Sequence, residues 1–293
     1  MKFSFMLETK AEAGDALDDL RDQLEALGHE FRVSRGEFMP PPWFNVFSEG
    51  IHEALPDRLA ALAHTGHRLV VLVSEQPTLV SREGLVWNYR PDGEWLRRAE
   101  DFVKSAPYFT AAWCYAPDSA RVIRQFVPRA ADVDLGWGRR YEASRRPVVP
   151  THDFCFFGLL TPRRERAINE FGRRGHSVDV IPHSTPLAAR DQRIPNSRVV
   201  LDLKQHHWWN HLVSSVRYVT AIGCGRPVVA EARAETAKGA WAEIVRFAGD
   251  DDFGRVAVAA LAEWESLYQH QLAALKAKPS LLAEAVAILE RAP

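Results

Sequence analysis

Twice in this chain a short apolar run is followed by an amphipathic helix, a glycine and a second apolar run, and that order leaves little choice of fold. The first instance is Lys2–Glu8 (KFSFMLE), a helix over Gly14–Leu27, Gly28, and His29–Ser34 (HEFRVS). Its helix carries Leu17, Leu20, Leu24 and Leu27 on one face. The second is His152–Leu160 (HDFCFFGLL), a helix over Arg163–Arg174, Gly175, and His176–Ile181 (HSVDVI). Strand, helix and strand this close together form a βαβ unit, which dictates a parallel sheet with a right-handed crossover. His67–Ser74 (HRLVVLVS) has the continuous apolar character of a strand covered on both faces.

Further strands are predicted at Phe44–Phe47, Phe109–Tyr115, Ala131–Leu135, Arg198–Leu203 and Pro227–Ala230. Helices are predicted at Ile51–Ala63, Trp95–Lys104, Ser119–Phe126, Trp209–Ile222, Trp241–Arg246, Phe253–Tyr268 and Ser280–Arg291. Gly136–Pro150 holds two glycines, four arginines and two prolines with no period, the composition of a boundary. The expectation is an α/β protein of two doubly wound, Rossmann-like domains facing across a cleft. Residues 1–140 form the first domain, 150–279 the second, and 280–293 a last helix that crosses back to the first.

Composition narrows the function. The 37 Lys and Arg balance 38 Asp and Glu, a net charge of -1, which argues against a dedicated nucleic-acid binder. Cys114, Cys155 and Cys224 are too few and too scattered for a disulfide framework or a cysteine zinc site, so a reducing cytoplasm is the expected setting. No apolar run approaches the ~20 residues of a membrane span, and the start does not read as a signal peptide. The nine tryptophans read as core anchors, with Trp208 and Trp209 also placed to stack on a base or sugar.

Open α/β sheets bind ligands beyond the carboxyl ends of their strands, which selects four segments. In Gly158–Arg166 (GLLTPRRER), a strand ends at a glycine, Thr161 is an N-cap and Pro162 a first helical residue. Arg163, Arg164 and Arg166 add charge to the helix amino terminus, which suits a phosphate or equally a solvated surface. In Gln205–Arg217 (QHHWWNHLVSSVR), His207 and His211 share a helical face with Ser214 and Arg217, an anion site rather than a metal site because no HExxH occurs. Glu231 closes the strand after Pro227, where its two oxygens could accept a pair of hydroxyls. Glu75, just past the His67–Ser74 strand, is a candidate general base. There is no GxGxxG and no GxxxxGK[ST], so the usual dinucleotide and P-loop signatures are missing.

Residues Asp153–Glu231 resemble the donor-binding domain of GT-B glycosyltransferases, and within them the spore-coat maturation type. The likeness rests on FFGLLTPRRERAINEF, GHSVDVI, NSRVVLDLKQHH and SSVRYVTAIGCGRPVVAE, in that order. It implies transfer of a sugar from a nucleotide-sugar to an acceptor, whether glycan, protein or small molecule. It also implies no resident cofactor and no metal, because helix dipoles and basic side chains stabilise the leaving diphosphate. Carried over, Gly158 and Arg163 lie near the diphosphate. His206, His211, Ser214 and Arg217 face the diphosphate and sugar, and Glu231 takes the ribose or sugar hydroxyls. Glu75 and His207 are the candidate catalytic groups. The alternatives are a catalytically inactive nucleotide- or glycan-binding or assembly protein of the same fold, and a nucleotide-sugar epimerase.

Overall fold

The computed structural model describes residues 1–7, 15–48, 56–73, 77–81, 84–87, 93–115, 119–134, 136–138, 141, 148–204, 214–232 and 240–291. The chain divides into two compact units, Met1–Leu135 with Ser280–Pro293, and Gly136–Pro279.

The first unit runs β1 (Lys2–Leu7), α1 (Asp15–Ala26), β2 (Glu30–Arg35), β3 (Trp43–Ser48), α2 (Pro56–His64) and β4 (Arg68–Val73). It continues through β5 (Pro77–Ser81), β6 (Gly84–Trp87), α3 (Gly93–Ser105), β7 (Ala111–Cys114), α4 (Ser119–Ile123) and β8 (Ala130–Asp132). Six strands form one sheet in the order β2-β1-β3-β4-β7-β8, every neighbour parallel. Five of the six residues of β4 are buried, as a strand covered on both faces must be. Leu59, Ala99, Phe102 and Ile123 from the helices meet Phe47, Leu69, Val71 and Ala112. Trp113 is fully buried and lies against Phe3. The antiparallel pair β5–β6 was not foreseen in the sequence.

The second unit runs β9 (His152–Gly158), α5 (Pro162–Arg173), β10 (Val178–Pro182), α6 (Leu187–Arg193), β11 (Ser197–Asp202), α7 (Ser215–Gly223) and β12 (Val228–Glu231). Then come α8 (Ala240–Ile244), β13 (Arg246–Ala248), α9 (Phe253–Leu261) and α10 (Trp264–Ala277). Its sheet, β10-β9-β11-β12-β13, is wholly parallel. Phe154, Phe156, Val199, Leu201 and Val229 pack against Ile168 and Phe171 of α5 and Phe253 and Ala257 of α9. The last helix, α11 (Leu281–Glu290), belongs to the first unit; Ser280 at its head donates to Gln23 Oε1 at 2.8 Å.

Three expectations are corrected, the first being the predicted helix Trp209–Ile222, which among the described residues begins at Ser215 after a non-helical Ser214, so Ser214 does not share a helical face with Arg217. The predicted helix Trp241–Arg246 ends at Ile244, because Arg246 opens β13, a strand too short to show a period. The predicted Phe253–Tyr268 is two helices separated at Ala262–Glu263. Helix α6 lies in a stretch the sequence left unassigned. Among the described residues no helix is long and apolar enough to cross a membrane.

One contact ties α10 to the edge of β12. The Val228 N–H donates to Gln271 Oε1 at 2.7 Å, and Gln271 Nε2 donates to the Val228 carbonyl at 2.8 Å. Gln271 is fully buried. Gln271→Leu keeps the volume but orphans two main-chain groups, so stability is expected to fall by roughly 2 kcal/mol. A shifted denaturation midpoint at unchanged slope is the readout.

Candidate functional site

The chain leaves β9 for β10 on one side and returns to β11 on the other, so the topological switch of the second sheet lies between β9 and β11. Gly158 and Asp202 end those two strands. The loop after Gly158 exposes Leu159 and Leu160 and then enters α5. Thr161 is its N-cap, accepting from the Arg164 N–H, and Pro162 opens the helix.

Asp202 organises what lies beyond. Its carboxylate is fully buried and accepts from Lys204 Nζ at 2.7 Å, from Tyr218 Oη at 2.9 Å and from Arg217 Nη1. Burial alone would push this carboxyl up; Lys204 and Arg217 overcome burial and hold it well below the usual carboxylate range. Burial lowers the Lys204 ammonium against the pull of Asp202. The same ammonium donates to Ser214 Oγ at 3.3 Å. Burial, then Asp202, raises the Tyr218 phenol well above its ordinary value.

Glu231, at the end of β12, is tied just as closely. Arg163 grips both its oxygens, with Nη1 on Oε2 at 2.7 Å, and the Lys204 N–H donates to Oε2 at 2.8 Å. Arg163 also donates to the Lys204 carbonyl at 2.8 Å and to Asp250 at 2.9 Å. The hydrogen bond to Glu231 raises the guanidinium of Arg163. Burial raises the Glu231 carboxyl, with Arg163 pulling against it.

Arg164 differs from its neighbours. It is buried and donates to the carbonyls of Leu203 and Leu159 at 2.8 and 2.7 Å. Its guanidinium lies over the Phe156 ring, and Arg217 stacks on Phe156 and Phe157. Burial and then the charge of Arg217 bring Arg164 down to about 10. Among the described residues, its hydrogen-bond partners are carbonyls, and Arg217 Nε has no partner at all. Among the described residues, four cations, Arg163, Arg164, Lys204 and Arg217, share three carboxylates, Asp202, Glu231 and Asp250. The surplus sits around Arg164 and Arg217, where an anion would be held by preset donors rather than by water.

The structure thus gathers Gly158, Arg163, Ser214, Arg217 and Glu231 at one edge. Glu75, His206, His207 and His211 lie outside the described residues. The sequence reading missed Asp202, Lys204 and Asp250. The signal for Asp202 was there: an acid closing the otherwise apolar strand VVLD. Two Asp-x-Asp triplets also occur. Asp132, of Asp132–Asp134, accepts from the Ala120 N–H at 2.9 Å in the first unit. In Asp250–Asp252, the first acid is on Arg163 and the last on Arg255.

The two parallel-sheet units have the fold of the GT-B glycosyltransferases, which pair two Rossmann-like domains. Trehalose-6-phosphate synthase OtsA is similar over 99% of both chains at 9% identity, with a TM-score of 0.62. The UDP-forming α,α-trehalose-phosphate synthase of Burkholderia xenovorans, solved with glucose-6-phosphate, is similar over 94% of this chain and 77% of its own (10% identity, TM-score 0.52). AviGT4, a glycosyltransferase of avilamycin A biosynthesis, is similar over 99% and 97% (14% identity, TM-score 0.52). No protein-family model and no curated protein sequence matches the chain.

Proposed function

We propose that this protein transfers a sugar from a nucleotide-sugar to an acceptor, without a metal, and that the second unit holds the donor. The observation that carries this reading is the cation surplus of Arg164 and Arg217 at the sheet's switch point, beside the amino terminus of α5. In the step proposed, an acceptor hydroxyl attacks the anomeric carbon and gives its proton to a base, for which Glu75 is the candidate. The bond from that carbon to the diphosphate breaks, and the diphosphate leaves with the bonding electrons. Arg164, Arg217 and Lys204, with the α5 dipole, would stabilise its charge. The acceptor side falls to the first unit. The narrower likeness to the spore-coat maturation type, and a cytoplasmic setting, belong to the same reading. The solved GT-B structures support the transfer reading through fold.

The test is thermal shift with UDP, GDP, CMP, dTDP and ADP, each with and without a divalent ion. A nucleotide at ~100 times its dissociation constant stabilises the fold by about 2.7 kcal/mol. One nucleotide is expected to act equally well in both conditions; no shift with any, or a shift that needs the divalent ion, overturns the reading. Arg217→Lys keeps a cation beside Asp202 but loses the planar fork whose remaining N–H groups could meet a phosphate while one holds Asp202, and should weaken the effective nucleotide by about tenfold or more.

A further inference from the structure

The loop that leaves the switch point presents apolar side chains to solvent. Among the described residues five large apolar side chains are exposed, and Leu159 and Leu160, at 51% and 44%, are the two that adjoin in the chain. Pro162 is exposed just beyond them. Pro182, exposed at the end of β10, pairs in register with Gly158. From Phe156 to Pro162 the chain holds no charged residue.

This rim is fixed, and its polar groups are already engaged. Arg164 Nη1 donates to the Leu159 carbonyl at 2.7 Å, and the Thr161 hydroxyl accepts from the Arg164 N–H. A hydroxyl-rich ligand laid here would lose water and find few partners. An apolar one would gain by covering leucine and proline.

Position narrows the occupant. A Cβ on Gly158 would fall 2.9 Å from Arg217 Nη2, so the leucines begin one residue from the cation assigned to the diphosphate. An acceptor hydroxyl must come to the carbon bonded to that diphosphate, and the body that carries the hydroxyl then meets this rim. A protein partner would need ~800 Å² on each side, and two half-exposed leucines with two prolines fall well short of that. An anionic membrane surface attracts a surplus of exposed cations. Here Arg164 is buried, Arg163 is held by Glu231 and Asp250, and the exposed Arg166 is offset by the exposed Glu165.

We infer, resting on the transfer reading, that the acceptor is a small apolar alcohol or phenol whose hydrocarbon body lies on Leu159 and Leu160 while its hydroxyl faces the diphosphate.

Leu159→Ser together with Leu160→Ser changes only exposed side chains, so the chain should fold normally. Saturation-transfer NMR on the full chain should show 2-naphthol bound and glucose at least tenfold weaker. The serine pair should weaken 2-naphthol about tenfold, and Leu159→Met with Leu160→Met should retain it. The nucleotide that raises the melting temperature of the parent chain should do so equally in the serine pair. No 2-naphthol signal, equal binding of glucose, or a signal that the serines leave untouched overturns the apolar acceptor, and a nucleotide shift in the same sample then leaves transfer standing. A nucleotide shift abolished by the serines assigns the rim to the donor's base. Co-sedimentation with phosphatidylglycerol vesicles that the serines abolish assigns it to a membrane. Either result overturns the apolar acceptor. If 2-naphthol binds through the leucines and no nucleotide shifts the melting, the transfer reading is what fails.

Discussion

Asp202→Ala should cost the second unit about 3–5 kcal/mol, the loss expected when one member of a buried charged cluster is removed and its partners are stranded. Asp202 is fully buried, and three groups converge on it: Lys204, Arg217 and Tyr218. Lys204 is itself almost completely enclosed, and without the carboxylate the one hydrogen-bond partner left to its ammonium among the described residues is Ser214. Filling the gap with Leu should not help, because the missing term is charge rather than volume. Asp202→Asn retains the acceptor without the charge and should fall between wild type and alanine. The loss should appear in hydrogen exchange of the β11 and β12 amides, which report this unit separately from the first. The pH dependence has a fixed sign. The folded carboxyl lies below its unfolded value, so the unfolded chain binds the extra proton as pH falls. The stabilisation is complete above the unfolded carboxyl range near 4 and drains away as pH drops toward the folded value. Asp202→Ala should lack that acid-dependent component. Equal acid sensitivity in both proteins would show that Asp202 is not the group that matters.

How far these features could be read from the letters depends on how local each one is. Strand β4 and the α5 N-cap were legible because their signals, a continuous apolar run and Thr161-Pro162, lie within a few residues. Strand β13 was not, since three residues with one large apolar side chain between two others carry no period. The break between α9 and α10 was hidden because apolar spacing runs through Ala262–Glu263 while the backbone does not. The site shows the same rule. Arg163, at a helix start, and Glu231, at a strand end, were each visible as candidates and were given separate partners, a phosphate and a pair of hydroxyls. The structure joins them to one another across 68 residues. Asp202 has no meaning until Arg217, fifteen residues on, folds back to it. Sequence marked where the edge of the sheet would be, and tertiary structure decided which charges there are already satisfied.

Gly158→Ala should reduce nucleotide binding, and any transfer that depends on it, by about 100-fold, the scale on which small misplacements of binding groups act. Two separate effects meet at this residue. Its φ of +129° lies where side chains are seldom tolerated, a strain of roughly 1–3 kcal/mol. An added Cβ would also fall 2.9 Å from Arg217 Nη2, so the guanidinium must move. That guanidinium is held by Asp202 on one side and by the faces of Phe156 and Phe157 on the other. Any shift therefore loosens the donor aimed at the switch point. Gly175→Ala separates the two effects. Gly175 has a φ of +86° and an added Cβ there would meet nothing within 4 Å, so alanine brings backbone strain and no collision. Both variants should melt earlier than wild type. Only Gly158→Ala should lose its response to the nucleotide that shifts the parent protein. Equal retention of that response in both would place the diphosphate away from Arg217 and leave the cation pair as a structural feature of the sheet edge.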